Sequence, residues 1–483
     1  MDWIRVGPPA GKGDLFFIEL VVLIGGALML SATSILAPEM ARVSAPFLFI
    51  ALAWHTGFQV SLNSTGEFVL TVFDVLVPLS LFLGLIGHWY MSEANVKTWF
   101  SENWKLLATF WAFCLWGLAI AIVRNVDAQP MLANLKSLLI YPMIMIILPW
   151  CVRSWKQLYA AVALLLALIT ERALDGLHQA ITHQVLKFQT LLGHGHVVYR
   201  IDGDMAATNQ YATYLLTGAL IFLALVATAK LKPLTRWSML APLGFISLAL
   251  LLTYSRGAWL GTAVALIALV LILRPRQAFA IVGVFGLVVL AIEIVHPGAG
   301  GQIALRANDY DHSIAARQQF QAIALGVIQH YPFGAGWGAW FALVPGGVQP
   351  VAGFPWYHDD YLQLATEIGV LGVLPLLAII LSVIFTGAKA ARNATDATKA
   401  AVVAGLTAAY IGMAVQTGTD QFLWHADIAP HIWIVAGLVL SGAALLRADQ
   451  KRKETIDAGL EYAGATPITT GAARARKPAD ARF

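Results

Sequence analysis

The feature that most constrains this chain is a series of apolar runs about as long as a lipid bilayer is thick. Clear examples are Leu15–Leu36, Val69–Ile86, Trp237–Leu252 and Ala278–Val295. About 20 helical residues cross the roughly 30 Å hydrocarbon core of a bilayer. Spanning segments must satisfy their own backbone hydrogen bonds, and apolar runs without alternation indicate helices rather than barrel strands. The sequence therefore predicts an all-α polytopic integral membrane protein.

Composition supports the same conclusion. The chain has 483 residues, of which 59% are hydrophobic and only 12% are charged, whereas soluble domains average about 25% charged residues. So few charges cannot cover a globule that faces water, and we expect lipid around most of the chain. Cys114 and Cys151 lie in or beside apolar spans, where small core residues are expected. Met1–Asp14 lacks the features of a cleavable signal peptide, so the first span is predicted to remain.

The number and orientation of the spans follow from apolar segments and from basic residues in short loops. Because the segment at 42–57 is short, 12 or 13 spans are possible, and 12 are expected. Lysine and arginine favour cytoplasmic loops, and counting spans puts all the basic loops and the carboxyl terminus on that side; the amino terminus stays open. The segments are 18–37, 42–57, 67–88, 105–123, 138–151, 157–177, 208–229, 237–253, 257–273, 278–295, 361–387, 400–418 and 429–446. The basic loop residues are Arg153, Lys156, Lys230, Lys232, Arg236, Arg274, Arg276, Lys389, Arg392, Lys399, Arg447, Lys451, Arg452 and Lys453.

Four regions follow from this pattern. Residues 1–295 hold the first ten apolar segments, 296–360 form one large loop on the non-cytoplasmic side, and 361–447 hold the last spans. The loop contains Ser313–His330, whose apolar spacing predicts a helix lying over the membrane face. Residues 448–483 are predicted to form a disordered cytoplasmic tail.

Two charged positions at the non-cytoplasmic boundary are the first candidates for chemistry. Arg256 follows Ser255 in a very short junction between two spans, where a guanidinium can bind a phosphate or pyrophosphate; the alternative is snorkelling to lipid headgroups. His358 lies where the large loop enters a span and could remove a proton from a sugar hydroxyl. Asp359 could orient this histidine or simply be solvated. Tyr361 and Gln363 are interpreted as structural or substrate-orienting.

Weaker candidates lie nearby. Arg317, on the predicted loop helix, could be a second phosphate-binding cation or part of a solvated face. Asn209 and Gln210 open a span and could cap it or hold sugar or phosphate oxygens. His183, His194, His196, Asp202 and Asp204 precede this span, but a metal site is not predicted. The spacing of His194 and His196 does not match a usual zinc site, and no cysteine or clear third ligand accompanies them. Asp202 and Asp204 stay open as a less favoured Mg²⁺ pair. No Walker-type loop supports ATP binding, and no basic domain supports nucleic-acid binding.

Three ordered motifs together resemble the O-antigen ligase and polymerase superfamily. They are Ser255–Gly261 (SRGAWLG), His330–Gly336 (HYPFGAG) and His358–Gln363 (HDDYLQ) followed by Glu367–Gly369 (EIG). They cover roughly residues 200 to 375 in order and spacing. The resemblance implies about 12 transmembrane helices, one large periplasmic loop containing helices, and a multi-pass protein of the bacterial inner membrane.

The resemblance also implies a reaction and roles for particular residues. The family transfers a glycan from undecaprenyl pyrophosphate without a metal or other cofactor. His358 resembles its essential histidine, the general base, while Arg256 and Arg317 resemble the arginines that hold the pyrophosphate. Asn209–Gln210 resembles the Asn-Gln element of protein O-oligosaccharyltransferases, without its preceding proline. The usual motif has asparagine after the histidine, where this chain has Asp359.

The expected activity is therefore a periplasmic O-antigen ligase reaction, with inversion in a single displacement. Its partners would be an undecaprenyl-pyrophosphate-linked glycan donor, a lipid A-core acceptor and membrane lipids. A polymerase, which uses a second lipid-linked repeat as acceptor, and a protein O-oligosaccharyltransferase stay open. A transporter or flippase is less favoured, because the notable charges cluster at one membrane face rather than within the spans.

Overall fold

The protein is helical, as predicted. The computed structural model describes residues 38–54, 59–61, 69–86, 99–126, 128–182, 188–192, 196–203, 205, 207–273, 275–295, 301, 312–339, 343, 358–425 and 428–464. The first predicted span, at 18–37, lies outside the described residues, as do His183, His194, Asp204 and much of the large loop.

Fifteen α-helices and four short strands are numbered in chain order among the described residues. Their bounds are α1 Pro38–Trp54, β1 Gln59–Ser61, β2 Val69–Thr71, α2 Val72–Ile86, α3 Trp99–Val123, α4 Ala128–Ile140, α5 Ile144–Cys151, α6 Trp155–Thr182, β3 Phe188–Leu192, β4 His196–Arg200, α7 Thr208–Thr228, α8 Pro233–Leu252, α9 Arg256–Ile272, α10 Pro275–Val295, α11 His312–His330, α12 Asp360–Ile368, α13 Val370–Asn393, α14 Ala397–Thr417 and α15 Ala429–Gly464.

Helices α7 and α14 form the centre of the bundle. They pack along each other, and α9 packs on both. Glycines allow this close approach: a Cβ on Gly261 would press into the backbone carbonyl of Gly412, and one on Gly405 would meet Ile221 and Ala224. Small residues at such contacts let membrane helices approach closely, where packing rather than water exclusion drives association. The centre is therefore closely packed, and its helices carry the candidate site at their ends.

The outer surface of the bundle is apolar. On helix α10, Phe279 is 80% exposed and Ile294 is 70% exposed. Exposure of such large apolar side chains is unfavourable in water but not in lipid. Six described helices are long and apolar enough to cross a membrane: α3, α7, α8, α13, α14 and α15. Further apolar helices are shorter. The chain is thus a membrane protein, whereas the count of twelve crossings stays a prediction.

Two predicted spans are each interrupted. The segment predicted at 138–151 is divided by a short 3₁₀ helix at Tyr141–Met143, where Pro142 cannot donate a backbone hydrogen bond. The segment predicted at 361–387 is divided at Gly369, whose φ of 84° leaves the helical region. Hydrophobicity alone does not reveal such breaks, because the residues on both sides remain apolar.

Two antiparallel hairpins, β1–β2 and β3–β4, were not predicted. The second lies between α6 and α7, in a segment that the sequence indicated only as a loop. Its register pairs Phe188 with Arg200 and Leu192 with His196. Arg200 therefore ends the hairpin, and its guanidinium contacts Asn209 at the start of α7.

The large loop and the carboxyl-terminal region also differ in part from expectation. The predicted loop helix is confirmed as α11, and the glycine turn after it has positive φ at Gly334, Gly336 and Gly338. Helix α15 continues to Gly464. The predicted disorder was therefore wrong for residues 448–464. The sequence there lacks a helix-breaking proline until Pro467. Residues 465–483 lie outside the described residues.

Candidate active site

The candidate site lies where several helix ends meet. Helix α7 begins at Thr208, α9 begins at Arg256 and α12 begins at Asp360, while α14 ends at Thr417. The turn 418–425, which follows α14, joins them: a Cβ on Gly257 would collide with Thr419. We call this end of the bundle the site end. At the opposite end of the bundle, Lys230 and Lys232 follow the end of α7 and Lys399 lies in the first turn of α14.

His358 faces this turn rather than its neighbour in sequence. Its Nδ1 lies 3.0 Å from Oδ1 of Asp420. The backbone of His358 has a φ of 54°, which is uncommon for a residue with a side chain. Backbone strain of this kind persists where the surrounding structure requires it, and it is concentrated at functional sites. The strained conformation places the imidazole against a carboxylate from a distant segment.

Asp420 is held by several donors at once. Its Oδ1 also accepts a hydrogen bond from the backbone amide of Gln421 at 2.9 Å, and its Oδ2 accepts one from Nδ2 of Asn209. Arg317 approaches Oδ2 at 3.8 Å. Burial on its own raises the pKa of Asp420, but the hydrogen bond with His358 and the charge of Arg317 outweigh it and hold this pKa below its usual range. The carboxylate is therefore anionic at neutral pH.

An anionic carboxylate determines which histidine nitrogen carries the proton. It can only accept, so Nδ1 of His358 must donate the hydrogen bond. In the neutral ring Nε2 is then the unprotonated nitrogen, which can accept a proton. About one third of the histidine side chain is exposed, so a substrate hydroxyl can reach it. The pair has the chemical requirements of a general base with an orienting carboxylate.

The two predicted arginines flank the same turn. Nη1 of Arg317 donates to the carbonyl oxygen of Thr419 at 3.0 Å, which anchors helix α11 on the turn. Arg256 is the first residue of α9, partly buried, and precedes the glycine that packs on Thr419. Arg317 therefore contacts the turn directly, and the residue that follows Arg256 packs against the same threonine.

The other predicted residues support the site rather than line it. Asp359 caps α12, because its Oδ1 accepts from the amide of Leu362 at 3.0 Å. Tyr361 donates to the carbonyl of Ala414 at 2.8 Å, on α14. Gln363 accepts from the side chain of Gln421, and Gln210 is buried in the first turn of α7. These contacts tie α12 to α14 and its following turn.

The residue after Asp359 completes this attachment. Asp360 is fully buried, and its Oδ2 accepts hydrogen bonds from the backbone amides of Phe422 and Leu423 at 2.7 and 2.9 Å. The glycine turn holds the other end of α12, since Ala335 and Gly336 donate to the carbonyls of Thr366 and Glu367 at 2.8 and 2.9 Å. Helix α12 is thus anchored at both ends, and His358 lies two residues before its start.

Substituting Gly257 tests whether the arrangement of the turn matters. Gly257→Ala is expected to lower kcat by up to about 100-fold, because a methyl group there displaces Thr419 and so misaligns Asp420. Gly244→Ala is the matched control: a Cβ at Gly244 meets nothing within 4 Å, and alanine favours the helix. Steady-state transfer assays compare the two. Equal activity of both variants would show that the position of the turn is not critical.

Comparison with known protein families bears on what this site does. Residues 241–377 match the sequence model described as O-antigen ligase. This match places the segment that carries the three motifs in the O-antigen ligase and polymerase superfamily. The matched residues include Arg256, Arg317 and His358, whereas Asp420 and Asn209 lie outside them. A search of curated proteins found no significant match.

The segments of Arg256, Arg317 and His358 meet at the turn 418–425, which the match does not cover. Asp420 was missed by sequence reasoning, because Asp359 is adjacent to His358 and Asp420 is 62 positions away. The only signal in the sequence was that residues 419–427 connect the predicted spans 400–418 and 429–446 at the ends away from the basic residues.

Proposed function

We propose that this protein transfers an O-antigen glycan from undecaprenyl pyrophosphate to a sugar hydroxyl of lipid A-core. The observation that carries the proposal is the His358–Asp420 pair flanked by the segments of Arg256 and Arg317. The pair can supply a base, and the arginines can supply charge for a diphosphate. The match to the O-antigen ligase model supports a role for the pair and the arginines in one glycosyl-transfer reaction.

The arginines would bind the leaving group. As the glycosidic bond to the diphosphate breaks, its electron pair passes to the diphosphate oxygen, where negative charge grows. Arginine offers a planar, permanently charged fork that matches phosphate oxygens. Charge placed in advance at a growing anion is commonly the largest single contribution to catalysis. In this proposal the two guanidinium groups carry out that stabilisation, and no metal ion is required.

His358 would activate the acceptor. Its Nε2 removes the proton from the attacking sugar hydroxyl while the oxygen forms a bond to the anomeric carbon. Asp420 stabilises the imidazolium that results. One displacement then inverts the configuration at the anomeric carbon. The proton ends on His358 and the electron pair on the diphosphate, so the step balances without another reactant.

The proposed location is the periplasmic face of the bacterial inner membrane. The lysine and arginine residues that favour the cytoplasm lie at or near the opposite end of the bundle. The apolar surface of the surrounding helices would let a lipid-linked donor diffuse to the site within the bilayer. The diphosphate would then lie at the membrane boundary, at the depth of the helix ends.

Reconstitution with defined acceptors tests the proposal. The purified protein in liposomes receives a lipid-linked glycan together with either lipid A-core or a second lipid-linked repeat. The proposal expects product on lipid A-core that persists in the presence of a chelator, with inverted anomeric configuration. Product formed only with the second lipid-linked repeat would instead identify a polymerase. Retained configuration would overturn the single displacement.

Replacing either arginine tests the role in leaving-group binding. Arg256→Ala and Arg317→Ala are each expected to lower kcat about 100- to 1,000-fold, because each removes charge stabilisation that is strongest in the transition state. Arg447→Ala is the control, since Arg447 lies on α15 beyond the opposite end of the bundle and contacts Glu102. The assay is initial-rate transfer. Normal kcat in both site variants would exclude this role.

A further inference from the structure

Arg200 is a half-buried residue that the proposed mechanism does not use. It ends strand β4, and its Nη2 donates to Oδ1 of Asn209 at 2.8 Å. Its Nε donates to the carbonyl oxygen of Thr253 at 2.6 Å. Thr253 closes helix α8, three residues before Arg256. One guanidinium therefore joins the hairpin to the first turn of α7 and to the short junction that precedes α9.

The contact with Arg200 determines the orientation of the Asn209 amide. A guanidinium has donors and no acceptor, so the oxygen of the amide must face Arg200. The NH₂ group must then point the other way, where it donates to Oδ2 of Asp420. A reversed amide would present its oxygen to an anionic carboxylate and its NH₂ to a cation, and both contacts would be repulsive.

The backbone of Asn209 is held as well. Its carbonyl oxygen accepts from Nε2 of Gln416 at 3.1 Å, which ties the first turn of α7 to the last turn of α14. Arg200 therefore acts on the rotation of the Asn209 side-chain amide rather than on its backbone. Asp420 in turn holds Nδ1 of His358 through its other oxygen. The four side chains form one continuous line from the hairpin to the base.

We propose that Arg200 is a positioning residue which acts through the Asn209 amide to hold the Asp420 carboxylate, and so the His358 imidazole, in the reactive orientation. This inference rests on the proposed function. The hydrogen bonds of Arg200 to Thr253 and Asn209 are both within the protein, and they use Nε and Nη2 of its guanidinium. Arg200 thus differs in role from Arg256 and Arg317, which are proposed to touch the diphosphate.

A double-mutant cycle on the reconstituted protein tests the connection. Arg200→Gln and Asn209→Ala are each expected to lower kcat about 10- to 100-fold, as loss of an outer partner of a reacting group commonly does. The double variant should fall no further than the worse single variant, because residues that act through one contact are not additive. The KM for the donor should stay nearly unchanged, since base alignment matters in the transition state.

Two further variants separate positioning from general stability. Arg200→Lys keeps the charge and can reach one of the two acceptors, so it should recover part of the kcat lost in Arg200→Gln. Arg172→Gln is the matched control: Arg172 also donates to a loop carbonyl, that of Gly203 at 3.0 Å, without contacting Asn209 in the contacts described. The kcat of Arg172→Gln should exceed that of Arg200→Gln. The thermal stability of all variants is measured in detergent.

The outcomes distinguish this inference from the function on which it rests. Any of three outcomes would overturn the positioning role. The first is a double variant whose loss in kcat is the product of the two single losses. The others are a raised donor KM with normal kcat, and no recovery of kcat in Arg200→Lys. These results would leave the function intact if His358→Ala is inactive in the same preparation. Full transfer by His358→Ala would instead remove the proposed base, and with it the basis of the inference.

Discussion

His358→Ala is expected to lower kcat for glycan transfer by about 100- to 10,000-fold, the range that a positioned general base contributes. Without the imidazole, the acceptor hydroxyl must lose its proton to water. Binding of the lipid-linked donor should persist, because the diphosphate is proposed to meet Arg256 and Arg317. The measurement is single-turnover transfer with donor bound in advance, together with donor affinity in the same liposomes.

His330→Ala is the matched control for this histidine. His330 ends helix α11 and is exposed, with its ring 4.6 Å from that of Tyr331, and it should retain near-normal transfer. Normal single-turnover rates in His358→Ala would exclude a base role. Loss of donor affinity without a slower chemical step would place His358 in binding instead.

Much of the fold could be predicted from the sequence, because length and apolarity define a membrane helix. Helix α11 was also predictable, since apolar residues recur at helical spacing from Ser313 to His330. The break at Gly369 was not, because the residues around it are apolar and glycine occurs within many membrane helices. The β3–β4 hairpin was missed as well, since its strands have only five residues each.

The candidate site was predicted only in part, for a reason of geometry. Arg256 and His358 were recognisable, because polar residues at span junctions in an apolar chain are conspicuous. The partner of His358 was not, since the turn after α14 reaches it only through the packing of α14 against α7 and α9. Asp359 is adjacent in sequence, but the start of α12 directs its carboxylate onto the helix amides.

This difference has a mechanistic consequence. A carboxylate on the neighbouring residue would move with the histidine, whereas Asp420 belongs to a turn that also contacts Arg317. A change at the proposed diphosphate-binding residue Arg317 can therefore reach the proposed base through the backbone of Thr419 and Asp420. The two groups contact the same turn, as the proposed single displacement requires of groups that act together.

Asp420→Asn is expected to lower kcat by about 1,000- to 10,000-fold while the fold is retained, as for carboxylate-to-amide changes at comparable histidines. An asparagine can turn its NH₂ toward Nδ1 of His358, which then becomes the acceptor. The ring proton moves to Nε2, the nitrogen that must accept a proton from the substrate. The imidazole stays in place but is in the wrong tautomer, so the donor KM should change little.

Asp359→Asn is the control that decides between the two carboxylates. Asparagine caps a helix about as well as aspartate, so the bond to the Leu362 amide and the start of α12 should persist. Because Asp359 does not contact the imidazole in the described hydrogen bonds, transfer should stay close to normal. The reverse pattern, with Asp420→Asn active and Asp359→Asn inactive, would assign the orienting role to Asp359. Single-turnover rates with thermal stability measured in parallel separate a tautomer effect from unfolding.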